Sequence, residues 1–298
     1  MGKQAGYSHS PIRVRLQLRS AFFLAAIVIL SGLGSNVHGQ DLTAYASAIA
    51  GGNSEQKRDA LFSLRNFATA EASRVAVPAL RDADPIVRAT AAGSAVFLPP
   101  DEAASALLPL LSDRDAFVRK EAAYALGRSR AQNSISQLIN TAGRDRDLEV
   151  RAAAVAALGM IGDPAAVAPL TIILNARPNE DNEFIRRSAA RSIGMIAQIL
   201  ITGDSYVVTP KNFLPTRFKS AEGRDITAEH PAFSTAVATL SRVLTNRSDA
   251  DDTRREAAFA LGAIGSRSSQ KLLEQHRSSP DPYLAEIAAE ALLKIDKP

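Results

Sequence analysis

The sequence predicts an all-α protein, a right-handed α–α superhelix of about seven stacked helix pairs, and three observations carry the prediction. A phrase anchored on one Arg returns along most of the 298 residues at a step near 31. Nearly every copy brings its own helix-start residue. The apolar residues are mostly small, with Ala abundant, aromatics at 5% and no Trp, which suits closely packed helices. Recurrence at about 20–50 residues marks units that cannot bury their apolar faces alone and must stack.

Residues 1–39 have the parts of a signal peptide. Lys3, Arg13, Arg15 and Arg19, with no acid among them, precede an apolar run from Ala21 to Leu33, and Ser35-Asn-Val-His-Gly39 follows. Val37 and Gly39 stand where a small residue is needed before a cut. The run of about 13 residues falls short of the roughly 20 a bilayer requires. Gln40 is therefore the expected mature N-terminus of an exported chain, periplasmic or secreted, bacterial, and not embedded in a membrane. Removing the four leader cations from 35 leaves 31 basic against 31 acidic residues, so the net charge of +4 belongs wholly to the leader. Residues 40–298 are formally neutral, which argues against nucleic acid. With no Cys in the chain, disulfides, thiolate zinc sites, thiol nucleophiles and lipidated cysteines are excluded.

Residues 41–50 read as a lone opening helix with Leu42, Tyr45 and Ile49 on one side. The repeats follow: Asp84-Pro-Ile-Val-Arg88-Ala-Thr-Ala-Ala92, Asp115-Ala-Phe-Val-Arg119-Lys-Glu-Ala-Ala-Tyr-Ala-Leu-Gly127, Asp147-Leu-Glu-Val-Arg151 through Gly159, Asn182-Glu-Phe-Ile-Arg186 through Gly194, and Thr253-Arg254 through Gly262. Divergent copies put Arg58 after Ser54 and Ala285 after Asp281. The steps are 30, 31, 32, 35, 68 and 31. Ser54, Asp84, Asp115, Asp147, Asn182 and Asp281 are expected to cap the first turns, and Pro85 and Pro282 suit the first helical position. Gly127, Gly159, Gly194 and Gly262 are expected to end the helices in the left-handed conformation. A second helix follows in each unit, at Val75–Leu80, Ala106–Leu111, Ile135–Ile139, Ala166–Leu174 and Ala236–Leu240. Pro78, Pro109 and Pro169 mark its start or a bend. Residues 281–295 read as a lone closing helix.

On these residues the chain resembles the HEAT-like repeat of the phycobilin-lyase type, from about residue 41 onward. The resemblance implies an α-solenoid and, chiefly, an interaction scaffold. The family also contains bilin-lyase subunits.

The repeated Arg58, Arg88, Arg119, Arg151, Arg186 and Arg254 are expected to pack between units and pair with the Asp of a neighbouring turn, a ladder that fixes the stacking; the alternative is a basic stripe for an anionic ligand. Acid pairs at Asp82/Asp84, Asp113/Asp115, Asp145/Asp147 and Asp249/Asp251 are read as turn and cap residues rather than calcium ligands, which would need more oxygens and a distal Glu. After cleavage only His230 and His276 remain, far apart in sequence, with His230 before Pro231 at a helix entry. Deoxyhypusine hydroxylase, a related repeat enzyme, holds iron on His-Glu pairs, and no such pair occurs here. Nor does a nucleophile-elbow phrase or a phosphate-binding Gly loop.

Residues 201–229 break the repeat. An insertion in a solenoid emerges as a loop on one face. Tyr206, Phe213 and Phe218 stand among Lys211, Arg217 and Lys219, the aromatic and cationic mixture of partner-binding surfaces; the segment is equally well read as a spacer, or as a loop tucked on the next helix. The expected function is an exported, non-catalytic scaffold that binds another protein, without cofactor or metal. The alternative is a lyase-like enzyme, or a subunit of one, holding a small molecule of the tetrapyrrole class on the concave face. Export weighs against it, because pigment attachment takes place inside the cell.

Overall fold

The computed structural model of the protein describes residues 37–203 and 224–295. The chain divides into a unit ending at Ala44 and one from Tyr45 to Pro298, and the repeats lie in the second. Helix α1 spans Val37–Gly51. Six pairs follow: α2 Ser54–Phe67 with α3 Ala70–Ala76, α4 Pro85–Ser94 with α5 Pro100–Leu107, α6 Ala116–Arg128 with α7 Ile135–Arg144, α8 Leu148–Ile161 with α9 Val167–Leu174, α10 Glu183–Thr202 with α11 Ala232–Thr245, and α12 Asp251–Ile264 with α13 Gln270–His276. Helix α14, Pro282–Ile295, closes the stack. The fourteen α-helices among the described residues thus form six pairs and two single end helices, against the roughly seven pairs expected. None of the described helices is long and apolar enough to cross a membrane.

Start signals act where the sequence puts them, with local differences. Asp84, Asp115 and Asp147 accept hydrogen bonds from the first-turn amides of α4, α6 and α8. In the first pair the cap is Asn53, in a reciprocal box with Gln56, and not Ser54. Asn182 precedes α10 without capping it, its side chain being tied to Asn179. Pro78 and Pro109 fall in 3-10 turns, Val77–Arg81 and Leu108–Ser112, that extend α3 and α5 past their last α-turn. Pro169 sits in the first turn of α9, where a missing N–H costs little.

The glycines expected to end the helices do not. Gly127, Gly159, Gly194 and Gly262 lie inside α6, α8, α10 and α12. Positive φ falls later, at Arg130, Gly162, Gly203 and Gly265. The earlier glycines serve approach between units. A Cβ on them would stand 2.6, 2.9, 2.9 and 2.6 Å from the Cα of Ala157, Ser192, Ala260 and Ala291 respectively. Each partner sits six residues past the repeated Arg position of the next unit, so one contact recurs at four joints and sets the spacing of the layer.

The first helices α2, α4, α6, α8, α10, α12 and α14 therefore stack directly on one another, while neighbours in the second layer touch only sparsely until α9 meets α11. The first helices are thus the layer through which successive units are joined.

Ion pairs lock the joints. Arg88 grips Asp113 at 2.8 and 2.9 Å, and Arg119 grips Asp145 at 2.8 Å through both contacts. Arg186 pairs with Asp249, both side chains 1% exposed. The acids at positions 113 and 145 also accept the backbone N–H of Asp115 and Asp147, the next cap. In the pairs Asp113/Asp115 and Asp145/Asp147 one acid thus receives the Arg and the other caps, whereas Asp251 opens α12 without capping it. At the other joints the predicted ladder is altered. Lys57, not Arg58, bonds Asp82 at 2.7 Å. Arg151 donates to the Ala142 carbonyl, and the acid position before α10, Glu180, is exposed. Arg254 donates to the Leu244 carbonyl and Asp251. Ser279 stands where the receiving acid would be, so the acid is displaced to the cap, Asp281, and Arg255 takes it instead.

Candidate functional site

Eight residues line a cavity of about 320 Å³ on the first-helix face: Arg187 and Arg191 from α10, Asp252, Arg255, Glu256 and Phe259 from α12, and Tyr283 and Ile287 from α14. All eight occupy four register positions, counted as two before and one, two and five after the repeated Arg. Those positions are spaced i, i+3, i+4 and i+7, one helical face. The core uses the other face: Thr253, Ala257, Ala258, Leu261 and Gly262 are buried.

The charges of the cavity are cross-linked between helices. Arg187 Nη1 donates to Asp252 and Arg191 Nη1 to Glu256, both at 2.9 Å. Arg255 donates to Asp281 at 2.8 and 3.0 Å and to Asp252 at 2.7 Å, and these acids raise its pKa further. Its guanidinium also lies 5.1 Å from the centroid of the Tyr283 ring. Three cations face three acids, so the site is balanced in charge and walled by two aromatic rings. Burial pushes the Glu256 carboxyl above the usual carboxylate range, and the neighbouring Arg191 only partly opposes it. A carboxyl that burial makes hold its proton more tightly than usual, beside an aromatic-walled cavity, is suited to proton transfer or to exchange of partners. Glu121, at the same register in α6, is likewise pushed up by burial.

Tyr206, Lys211, Phe213, Arg217, Phe218 and Lys219 lie outside the described residues. The returning end of the insertion is described: Ile226 is buried, its N–H bonds the Ile264 carbonyl, and the backbone at Arg224 crosses Gly265 too closely for a side chain there. His230 packs edge-on to Phe233 at 6.3 Å before α11, and His276 turns its Nδ1 to the Leu272 carbonyl of its own helix. Neither faces the cavity. Among the described residues there is no group of three or more His, Asp or Glu placed to hold a metal ion. The two burial-shifted glutamates are preceded by Lys120 and Arg255, cations that do not ligate, so these residues do not fit an iron site.

Sequence reasoning passed over the cavity because it followed what recurs. The signal was present in the phrases Arg119-Lys-Glu-Ala-Ala and Arg254-Arg-Glu-Ala-Ala, two copies that put a Glu on the face where the others have Ala, Thr, Ser or Ile.

This is the architecture of an α-solenoid with a site on its first-helix layer. HEAT-repeat models match residues 42–127 and 104–194, and a PBS lyase HEAT-like repeat matches 253–276. The chain belongs to the HEAT-repeat family. A relative, deoxyhypusine hydroxylase-B of Oryza sativa subsp. japonica, is 30% identical over 268 residues, which is 80% of this chain and 86% of that protein. Among solved structures, human deoxyhypusine hydroxylase is 19% identical with a TM-score of 0.37, covering 89% of this chain and 99% of its own. The CpcE–CpcF complex of phycocyanin lyase from Nostoc sp. PCC7120 is 20% identical with a TM-score of 0.45, covering 85% and 94%. The hydroxylase relative overturns the expectation of a non-catalytic scaffold: the protein that shares 30% identity with this chain over most of both lengths is an enzyme, and the finding favours the enzymatic alternative over the scaffold.

Proposed function

We propose that this chain is a lyase-like enzyme, or a subunit of one, that holds a small, planar, carboxylate-bearing molecule of the tetrapyrrole class in the cavity between α10, α12 and α14. The observation that carries the reading is the cavity itself: about 320 Å³ with Tyr283 and Phe259 as walls and Arg187, Arg191 and Arg255 around them, within the size range of ligand sites of roughly 300–1,000 Å³. Aromatic faces take a conjugated ring, guanidinium edges take its carboxylates, and Glu256 supplies or accepts a proton. The relative's hydroxylation is not carried over, because the described residues do not fit its iron. In the subunit form of this reading a protein partner completes the site.

The test is a titration of the full chain with biliverdin, followed by visible absorption and thermal melting. A shifted absorption band and a raised Tm, both lost in Tyr283→Ala, are expected. An unchanged spectrum and Tm would overturn the reading. Export with cleavage after Gly39 stands as a separate proposal, checked by the N-terminal sequence of the mature protein.

A further inference from the structure

Of the three guanidiniums at the cavity, one is held by a partner suited to letting go. Arg255 is fixed by two contacts to Asp281 and one to Asp252, and Arg187 also leans on Asp252. Arg191 has a single bond, to Glu256. The Arg191 side chain is 48% exposed and the Glu256 side chain 20%, so the cation stands at the mouth with the carboxylate behind it. The charged and titratable groups facing Glu256 are Asp252 and Arg255 on its own helix, Arg187 and Arg191 on α10, and Tyr283 on α14.

Resting on the reading of the cavity as a small-molecule site, we propose that it takes its ligand by carboxylate exchange. The ligand's carboxylate replaces Glu256 on Arg191, and Glu256 takes up one proton from solvent. The charge of the site before and after is then the same, which a balanced, half-enclosed cavity requires. Burial already favours the neutral Glu256, and the pairing with Arg191 is what opposes it. Once Arg191 turns to the ligand, its hydrogen bond to Glu256 is lost and the weaker pull of Arg187, itself bonded to Asp252, is what remains from α10, while Arg255 is held by Asp281 and Asp252.

The experiment is calorimetric titration of the full chain with biliverdin and with its dimethyl ester, in buffers of different ionisation enthalpy between pH 6 and 8. Expected is uptake of about one proton per biliverdin, affinity falling up to about tenfold per pH unit above the pKa of Glu256 in the free protein, and at least tenfold weaker binding of the ester. Glu256→Gln should bind biliverdin with no proton uptake and with an affinity independent of pH across that range. Equal binding of acid and ester without proton uptake overturns the exchange while leaving the cavity a ligand site. Binding of neither overturns the underlying reading and the exchange with it. The proton count on the unaltered chain decides the matter even where the variant is perturbed.

Discussion

Repeats four and six hold the same helix in the same layer and differ on one face. Helix α8 buries Val150, Ala154, Val155, Leu158 and Gly159, and α12 buries Thr253, Ala257, Ala258, Leu261 and Gly262 at the same registers. At the four other registers α8 has Glu149, Ala152, Ala153 and Ala156, whereas α12 has Asp252, Arg255, Glu256 and Phe259. The buried register fixes where the helix lies and leaves four positions per repeat free to carry chemistry. A site forms where three successive helices, α10, α12 and α14, fill those positions with charge and aromatics together.

The comparison separates charges that hold the stack from charges that line the site, and the largest predicted effect tests that division. Asp249→Ala leaves Arg186 buried without its acid, and breaking a buried pair this way costs about 3–5 kcal/mol. Asp252→Ala removes contacts to Arg187 and Arg255, side chains 34% and 27% exposed against 49% for Asp252, each worth about 0–1 kcal/mol. Urea denaturation at neutral pH measures both. Similar losses in the two variants would mean that the face charges also hold the stack.

The next effect concerns spacing. Gly262→Ala puts a Cβ 2.5 Å from that of Ala291, so the joint must open, at about 1–3 kcal/mol for overpacking. Gly143 in α7 has nothing within 4 Å of its Cβ position, and Gly143→Ala should stabilise by up to about 1 kcal/mol. Melting temperatures moving in opposite directions are expected. A neutral Gly262→Ala would remove the role assigned to the first-helix glycines.

Acid stability should follow the pairs at the joints. The hydrogen bond from Arg88 holds Asp113 below the usual carboxylate range. A depressed folded pKa gives stability that is present above the unfolded value, near about 4, and lost as pH falls through the folded one. Asp113→Asn should therefore be destabilised at pH 7 and approach the unaltered chain as pH drops below about 4. A constant difference across that range would mean that the lost contact is steric rather than ionic.

The stacked helices, their caps at Asp84, Asp115 and Asp147, and the pairing of Arg88, Arg119 and Arg186 were legible because they are repeated, and repetition is how a core of nearest-neighbour contacts is written. The cavity was not, because its residues are the ones that fail to repeat. The first-helix glycines were misread for a physical reason. A Gly near a helix end satisfies either a left-handed cap or a close approach, and sequence separates the two only when the next Gly is considered, as in Leu158-Gly-Met-Ile-Gly162 and Leu261-Gly-Ala-Ile-Gly265. The enzymatic relation was carried only as the alternative to a scaffold, since it lies in identity spread over 268 residues rather than in any one phrase.

The smallest predicted effect compares two glutamates at one register. Glu121 faces Gly93 at 3.4 Å from its Cβ position, with Arg65 nearby, and no bond like that of Arg191 to Glu256 secures it. Burial raises its pKa, with Lys120 and Arg65 opposing. A folded pKa above the unfolded one contributes stability below about pH 4 and loses it as pH rises through the folded value. At neutral pH the ionised Glu121 therefore works against folding, and Glu121→Gln should gain on the unaltered chain in melting temperature between pH 4 and pH 7. Glu256→Gln should show a smaller gain or none, because at neutral pH it also gives up the ion pair with Arg191. If the two variants instead behave alike, Arg191 contributes no more to Glu256 than Arg65 does to Glu121, and the cavity's charge network is weaker than its geometry implies.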